Sequence, residues 1–204
     1  MNILILIITV ALSLAAFNNR NLFDKALFRP YLIKHNNEWW RWFSNGFIHA
    51  DYTHLIVNML TFYFFGGYIL AVFKGLIGPM GSIVFVVYYL LAIAVSSSYS
   101  YHKHKDNYGY AALGASGAVS AIIFSYILFN PFGKIQLYFI VGIPAWLFGI
   151  LYLWYEWYMG KKMGDNIGHD AHFFGAVFGF IFPILLKPET GLAFIQQFIE
   201  LFSR

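Results

Sequence analysis

The chain has 204 residues, 60% of them hydrophobic and only 11% charged, with a net charge of +4 and no cysteine. Soluble domains carry about 25% charged residues, so this composition argues against a water-facing enzyme, a disordered segment and a nucleic-acid binder. The missing cysteines exclude disulfides, thiol nucleophiles, iron–sulfur clusters and cysteine-bound zinc.

A bilayer core is about 30 Å thick, and a helix needs about 20 mostly apolar residues to cross it. Six stretches read as spans. The first, Asn2 to Phe17, reads as a span rather than a signal peptide, because no Lys or Arg precedes its apolar run. A loop over about residues 18–52 follows. Within it, Asn37 to Tyr52 is rich in Trp and carries Arg41 at its middle, which suits the membrane interface. The second span runs from Thr53 to Leu70, and the third from Gly81 to about Ser96. The fourth runs from Tyr110 to Phe129 and stops at Asn130-Pro131. The fifth runs from Ile135 to Leu153, with a kink expected at Pro144. The sixth runs from Ala171 to Leu186 and stops at Lys187-Pro188. In the tail, about 188–204, Leu192, Ile195, Phe198, Ile199 and Phe202 recur at helical spacing opposite Gln196, Gln197 and Glu200. That is an amphipathic surface helix. The expected fold is an all-α membrane protein, one domain over residues 1–204.

Polar side chains inside a bilayer are costly and so point to function. Five stand out: His54 and Asn58 in the second span, Ser116 and Ser120 in the fourth, and His172 in the sixth. Taken singly, each has a structural explanation as a helix-backbone bond or interhelical glue. Their joint placement is more informative. The even-numbered spans enter from one face, and His54, Ser116 and His172 each lie near the start of theirs. Ser116 is 14 residues before Asn130, and His172 is 14 before Leu186, roughly 21 Å of helix each. His54 and Asn58 bracket that level, roughly 9 Å below the near surface of the bilayer. Gly117, Ala121 and Ser125 form a small-residue stripe, as do Ala171, Gly175 and Gly179. Such stripes let membrane helices approach closely.

A serine hydroxyl becomes a nucleophile when a base takes its proton, and neutral imidazole can do so. Ser116 lies in Gly114-Ala115-Ser116-Gly117 at a helix start, where free N–H groups face a developing oxyanion. His54 and Asn58, one turn apart, can add side-chain donors. Nucleophile, base and oxyanion donors together suggest acyl transfer.

These residues resemble the rhomboid proteases. Trp40-Arg41 matches that family's loop motif, and His54-x-x-x-Asn58, with His49 before it, matches its second span. Gly114-x-Ser116-Gly117 matches its nucleophile motif, and Ala171-His172-x-x-Gly175-x-x-x-Gly179 its base-bearing sixth span. The resemblance covers nearly the whole chain in order and spacing. It implies a six-transmembrane-helix rhomboid-like bundle and an intramembrane serine endopeptidase with a Ser–His dyad. Ser116 would be the nucleophile and His172 the base, while His54, Asn58 and Leu113 would stabilise the oxyanion. No metal, cofactor or third acid is implied. Asp170 is the one acid near the base, pointing to another helix face. The implied partners are transmembrane protein substrates and the lipid bilayer, with no nucleic acid. The fifth span, with Trp154, Tyr155, Trp157 and Tyr158 at its end, would gate substrate entry.

Two features depart from that pattern. Many relatives carry an aromatic residue stacked on the base where this chain has Ser120, so a different neighbour is expected to hold His172. Lys and Arg number nine on the active-site side and four on the other. The positive-inside rule would therefore turn the site to the cytoplasm, whereas the resemblance implies the extracytoplasmic side of a bacterial inner membrane. Three rival readings are a non-catalytic rhomboid-like protein that binds membrane segments, a metalloenzyme using His49, His54, His169 and His172, and a small transporter. The last two lack an H-E-x-x-H motif and internal symmetry, respectively.

Overall fold

The computed structural model describes residues 1–137, 141–162 and 167–203. The long helices are α1 (Asn2–Asn18), α5 (Tyr52–Ile77), α6 (Gly81–His104), α7 (Ser116–Phe129), α8 (Ala145–Lys162) and α9 (His169–Leu186). Short helices α2 (Arg20–Ala26), α3 (Pro30–Asn36) and α4 (Arg41–Ser44) build the first loop, and α10 (Glu189–Phe202) closes the chain. Among the described residues, two helical stretches are long and apolar enough to cross a membrane: Tyr52–His104, which turns at Gly78–Met80, and His169–Leu186. The helices α1 and α7 are apolar but shorter. Large apolar side chains such as Ile7, Val57, Phe64 and Ile83 lie exposed around the bundle. In water such a surface would aggregate, whereas acyl chains solvate it.

The core is aromatic. Phe62 and Phe73 of α5 pack with Phe85, Tyr88 and Tyr89 of α6, all fully buried. Phe178 and Phe182 of α9 close on Tyr88. The two small-residue stripes meet. A Cβ on Gly175 would lie 2.1 Å from the Gly117 carbonyl oxygen, and one on Gly179 2.0 Å from that of Ala121. Only glycine allows α7 and α9 this close, and Ser125 Oγ locks the contact by donating to the Gly179 carbonyl (2.6 Å).

The fifth segment differs from its expected form. Instead of a helix from Ile135 to Leu153, Lys134–Leu137 (β1) and Val141–Pro144 (β2) pair antiparallel, and α8 begins only at Ala145. Ile135 and Ile143, paired across this hairpin, are β-branched residues that favour extended backbone. Pro144 lacks an N–H for a helix interior and sits just before the first turn, so it marks a boundary and not a kink. The fourth segment also starts late: residues 112–115 are a stitched loop, and the helix opens at Ser116.

Arg41 explains part of the charge excess in the first loop. It is buried, pairs with Glu38 (2.5 Å), and donates to the carbonyls of Asp24 (2.8 Å) and Leu27 (2.7 Å). The tail forms the expected helix. Phe194 stacks edge-on to Phe180, and Leu192, Ile195 and Ile199 are exposed.

Candidate active site

The segment entering α7 is tied down at each step. Phe28 and Ala112 exchange backbone hydrogen bonds (2.9 and 3.0 Å), and the Gly114 N–H donates to the Asn45 carbonyl (2.9 Å). Gly114 holds φ at +114°, and a Cβ there would lie 2.7 Å from the His54 ring. Glycine therefore serves twice, by adopting a backbone that side chains resist and by admitting the His54 imidazole against the turn that presents Ser116. As the first residue of α7, Ser116 carries one of the N–H groups left unpaired at a helix start. Leu113 is partly buried against Leu27 and Ile48.

Asp51 sets where α5 begins, its carboxylate accepting from the His54 N–H (2.8 Å). That cap fixes His54 in the first turn and Asn58 one turn later. Asn58 is buried and donates from Nδ2 to the His54 carbonyl (2.9 Å). The amide has a second proton for another acceptor.

His49 braces the same loop from outside the helices. It is fully buried, accepts from the Ala115 N–H at Nε2 (3.4 Å), and contacts Ser13 Oγ through Nδ1 (3.0 Å). The Ser13 hydroxyl donates onward to the Phe47 carbonyl (3.1 Å), so Nδ1 carries the ring proton. Burial, with nearby His54 acting in the same direction and Asp51 opposing, pushes the His49 pKa down to about 3. An unfolded histidine titrates near 6.5. Between those values the unfolded chain binds a proton that the folded chain refuses. Stability should therefore be complete above pH 6.5 and fall as the pH drops below it, by about 1.4 kcal/mol per unit. Thermal unfolding in detergent across pH 7 to 4.5 measures this slope, and His49→Gln should flatten it.

On α9, the His172 ring faces a carboxylate from α8. Glu156 is 4% exposed; its Oε1 lies 3.2 Å from His172 Nδ1 and its Oε2 2.6 Å from His169 Nδ1. An ionised carboxylate only accepts, so each Nδ1 that bonds it is the donor. A neutral His172 ring bonded this way has its lone pair on Nε2, the form a general base needs. One turn earlier on α8, the Tyr152 hydroxyl meets Ser120 Oγ (2.6 Å), while Ser120 donates to the Ser116 carbonyl (2.8 Å). Gly117 packs beside both Ala171 and Gly175, so Ser116 and His172 belong to the same end of the α7–α9 pair.

Residues 36–189 match the family model described as the Rhomboid domain. The chain belongs to the rhomboid family. Rhomboid proteins are integral to the membrane. The chain is 30% identical over 143 residues to RHOMBOID-like protein 12, mitochondrial, of Arabidopsis thaliana, a match covering 65% of this chain and 42% of that protein. It is 26% identical over 155 residues to Rhomboid protease GlpG of Haemophilus influenzae, covering 74% of this chain and 72% of that one. The chain thus spans under half the length of the plant relative.

Several sequence expectations change at this site. An acid does lie beside His172, and it is Glu156. Asp170 points away and pairs with Lys103 (3.0 Å). The neighbour holding His172 in place of an aromatic at position 120 is this carboxylate. The four histidines of the metalloenzyme reading divide into two groups. His49 and His54 pack edge to face at 5.0 Å, while His169 and His172 share Glu156. In the sequence Glu156 lies beyond the expected end of the fifth span at Leu153. With the hairpin moving the helix toward its C-terminus, Glu156 becomes the lone acid of an aromatic helix, a placement that itself signals function.

Proposed function

We propose that this chain is an intramembrane serine endopeptidase that hydrolyses peptide bonds in or near transmembrane segments of other proteins. Ser116 attacks the carbonyl carbon, His172 takes its proton at Nε2 and returns it to the leaving amine, and water then releases the acyl-enzyme. His54, the second Asn58 proton and the Ser116 N–H stabilise the oxyanion, with the Leu113 backbone beside them. Residues 1–204 act as one domain with six spans, α1 and α5 to α9, between an interfacial loop (18–52) and a surface tail (188–204). The protein sits as a multi-pass protein in a bacterial cell membrane, its site open to the extracytoplasmic side. Burial of Arg41 in the loop removes one charge from the count that opposes this orientation.

The observation that carries the reading is the His172–Glu156 bond (3.2 Å). It sets the basic nitrogen of an imidazole on the helix that packs directly against the one opened by Ser116. An imidazole oriented in this way suits proton transfer, which supports hydrolysis over binding alone. Incubation with a fluorophosphonate tests the mechanism. A single adduct on Ser116, together with cleavage of a transmembrane test substrate, is expected. No adduct on an intact, folded chain would favour the non-catalytic reading.

The oxyanion donors give a separate expectation. Losing one such donor costs about 10²–10³ in turnover. Asn58→Ala and His54→Ala should each lower kcat by that factor with little change in KM. A rise in KM alone would move both residues to substrate binding.

A further inference from the structure

The Glu156, His169 and His172 cluster has a chemistry beyond proton transfer. One ligand atom from each side chain lies within 4.8 Å of the others. Two imidazoles and a carboxylate are the donor set that zinc accepts when a fourth position is left to water. His169 and His172 are three residues apart, so they leave α9 on one face, and Glu156 closes the triangle from α8. Zinc bonds to nitrogen and oxygen are about 2.0–2.2 Å, which places tetrahedral ligand atoms roughly 3.3 Å apart. Glu156 Oε2 is 2.6 Å from His169 Nδ1 and Oε1 is 3.2 Å from His172 Nδ1, with one ligand atom of each residue within 4.8 Å of the others, so these separations bracket that spacing. A cavity of about 410 Å³ lies against Glu156, with Lys103, Gly160, Lys161 and Asp170 also in its wall. Lys103, whose charge would repel a cation, is held by Asp170.

We propose that Glu156, His169 and His172 bind a divalent transition-metal ion of the zinc class, and that the bound ion reversibly switches off the hydrolase. The inhibition rests on the Ser116–His172 reading; the binding does not. The logic is tautomeric. In the metal-free site the His172 proton is on Nδ1 and the lone pair on Nε2. A metal ion takes the Nδ1 lone pair, so the proton moves through water to Nε2 and the ring stays neutral. An Nε2 that carries a proton cannot accept one from Ser116. The carboxylate offsets one of the two metal charges. Nitrogen donors select zinc or copper over magnesium and calcium, which need mainly oxygen ligands.

Calorimetric titration of the purified full chain in detergent with zinc chloride tests the site, with cobalt(II) absorption as a second readout. One ion per chain is expected, without competition from millimolar magnesium. Glu156→Gln and His169→Gln should each weaken binding at least about tenfold, and Glu200→Gln, in the surface tail, should leave it unchanged. Zinc should inhibit cleavage, and chelation should restore it. Each variant's rate is normalised to its own metal-free value, and the inhibition constant of His169→Gln should rise in step with its Kd. Absence of stoichiometric binding, or binding indifferent to both ligand substitutions, would overturn the site. Zinc-stimulated cleavage would overturn the switch. A chain that binds zinc as expected but never hydrolyses substrate would keep the metal site and reject the protease.

Discussion

Ser116→Ala and His172→Ala should each abolish cleavage of a transmembrane substrate. In the proposed mechanism the hydroxyl supplies the electron pair that becomes the acyl bond, and the imidazole removes the proton that would otherwise stay on that oxygen. Neither can act alone, and losing one member of such a unit costs on the order of 10⁶ in turnover. The double variant should therefore be no worse than either single one. The fold should persist in both. Ser116 opens a helix whose N-cap residue makes no side-chain bond to it, and the tight α7–α9 contact is carried by Gly117, Gly175 and Gly179. Cleavage is read by gel shift of the substrate, and folding by unchanged thermal unfolding in detergent. Ordinary turnover by Ser116→Ala would end the serine mechanism.

Glu156→Gln should reduce turnover by between about 10² and 10⁴. The substitution keeps size and shape but changes what the group can do. A carboxylate accepts from two imidazoles at once. An amide has one oxygen and one NH₂ group, so it can accept from one ring only. When the oxygen faces His169, which makes the shorter bond, the NH₂ group faces His172 and donates to Nδ1. The ring then carries its proton on Nε2 and is no longer a base toward Ser116. Glu156 is a positioning residue in this account, because it touches neither substrate nor nucleophile. Its loss should appear in kcat with KM unchanged, and fluorophosphonate labelling of Ser116 should slow in parallel. A carboxylate that served only packing would leave labelling at the native rate. Glu156→Asp keeps the charge on a shorter arm and should recover part of the loss.

The amino-acid sequence by itself determined the class and family of this protein. Sparse charge and long apolar runs left a membrane as the only solvent the chain could accept. The stripes at Gly117 and Gly175 announced a close helix pair, because spacing along a helix is a local property that packing does not alter. The motifs around His54, Ser116 and His172 were legible for the same reason, since each lies within a few residues of one helix start. Tertiary structure decided what depends on contacts between distant segments. Ile135 to Leu153 read as one apolar span, and only the cross-strand pairing of Lys134–Leu137 with Val141–Pro144 takes its first part out of the helix. That shift slides α8 along the chain and brings Glu156 and Tyr152 to the α7–α9 pair. His49 read as a motif residue, yet its role comes from Ser13 and Ala115, each more than 30 residues away. Glu156 and its two histidines follow the same rule. Periodicity reports how a helix faces its surroundings, but the partner of a buried charge is chosen by whichever helix packs beside it.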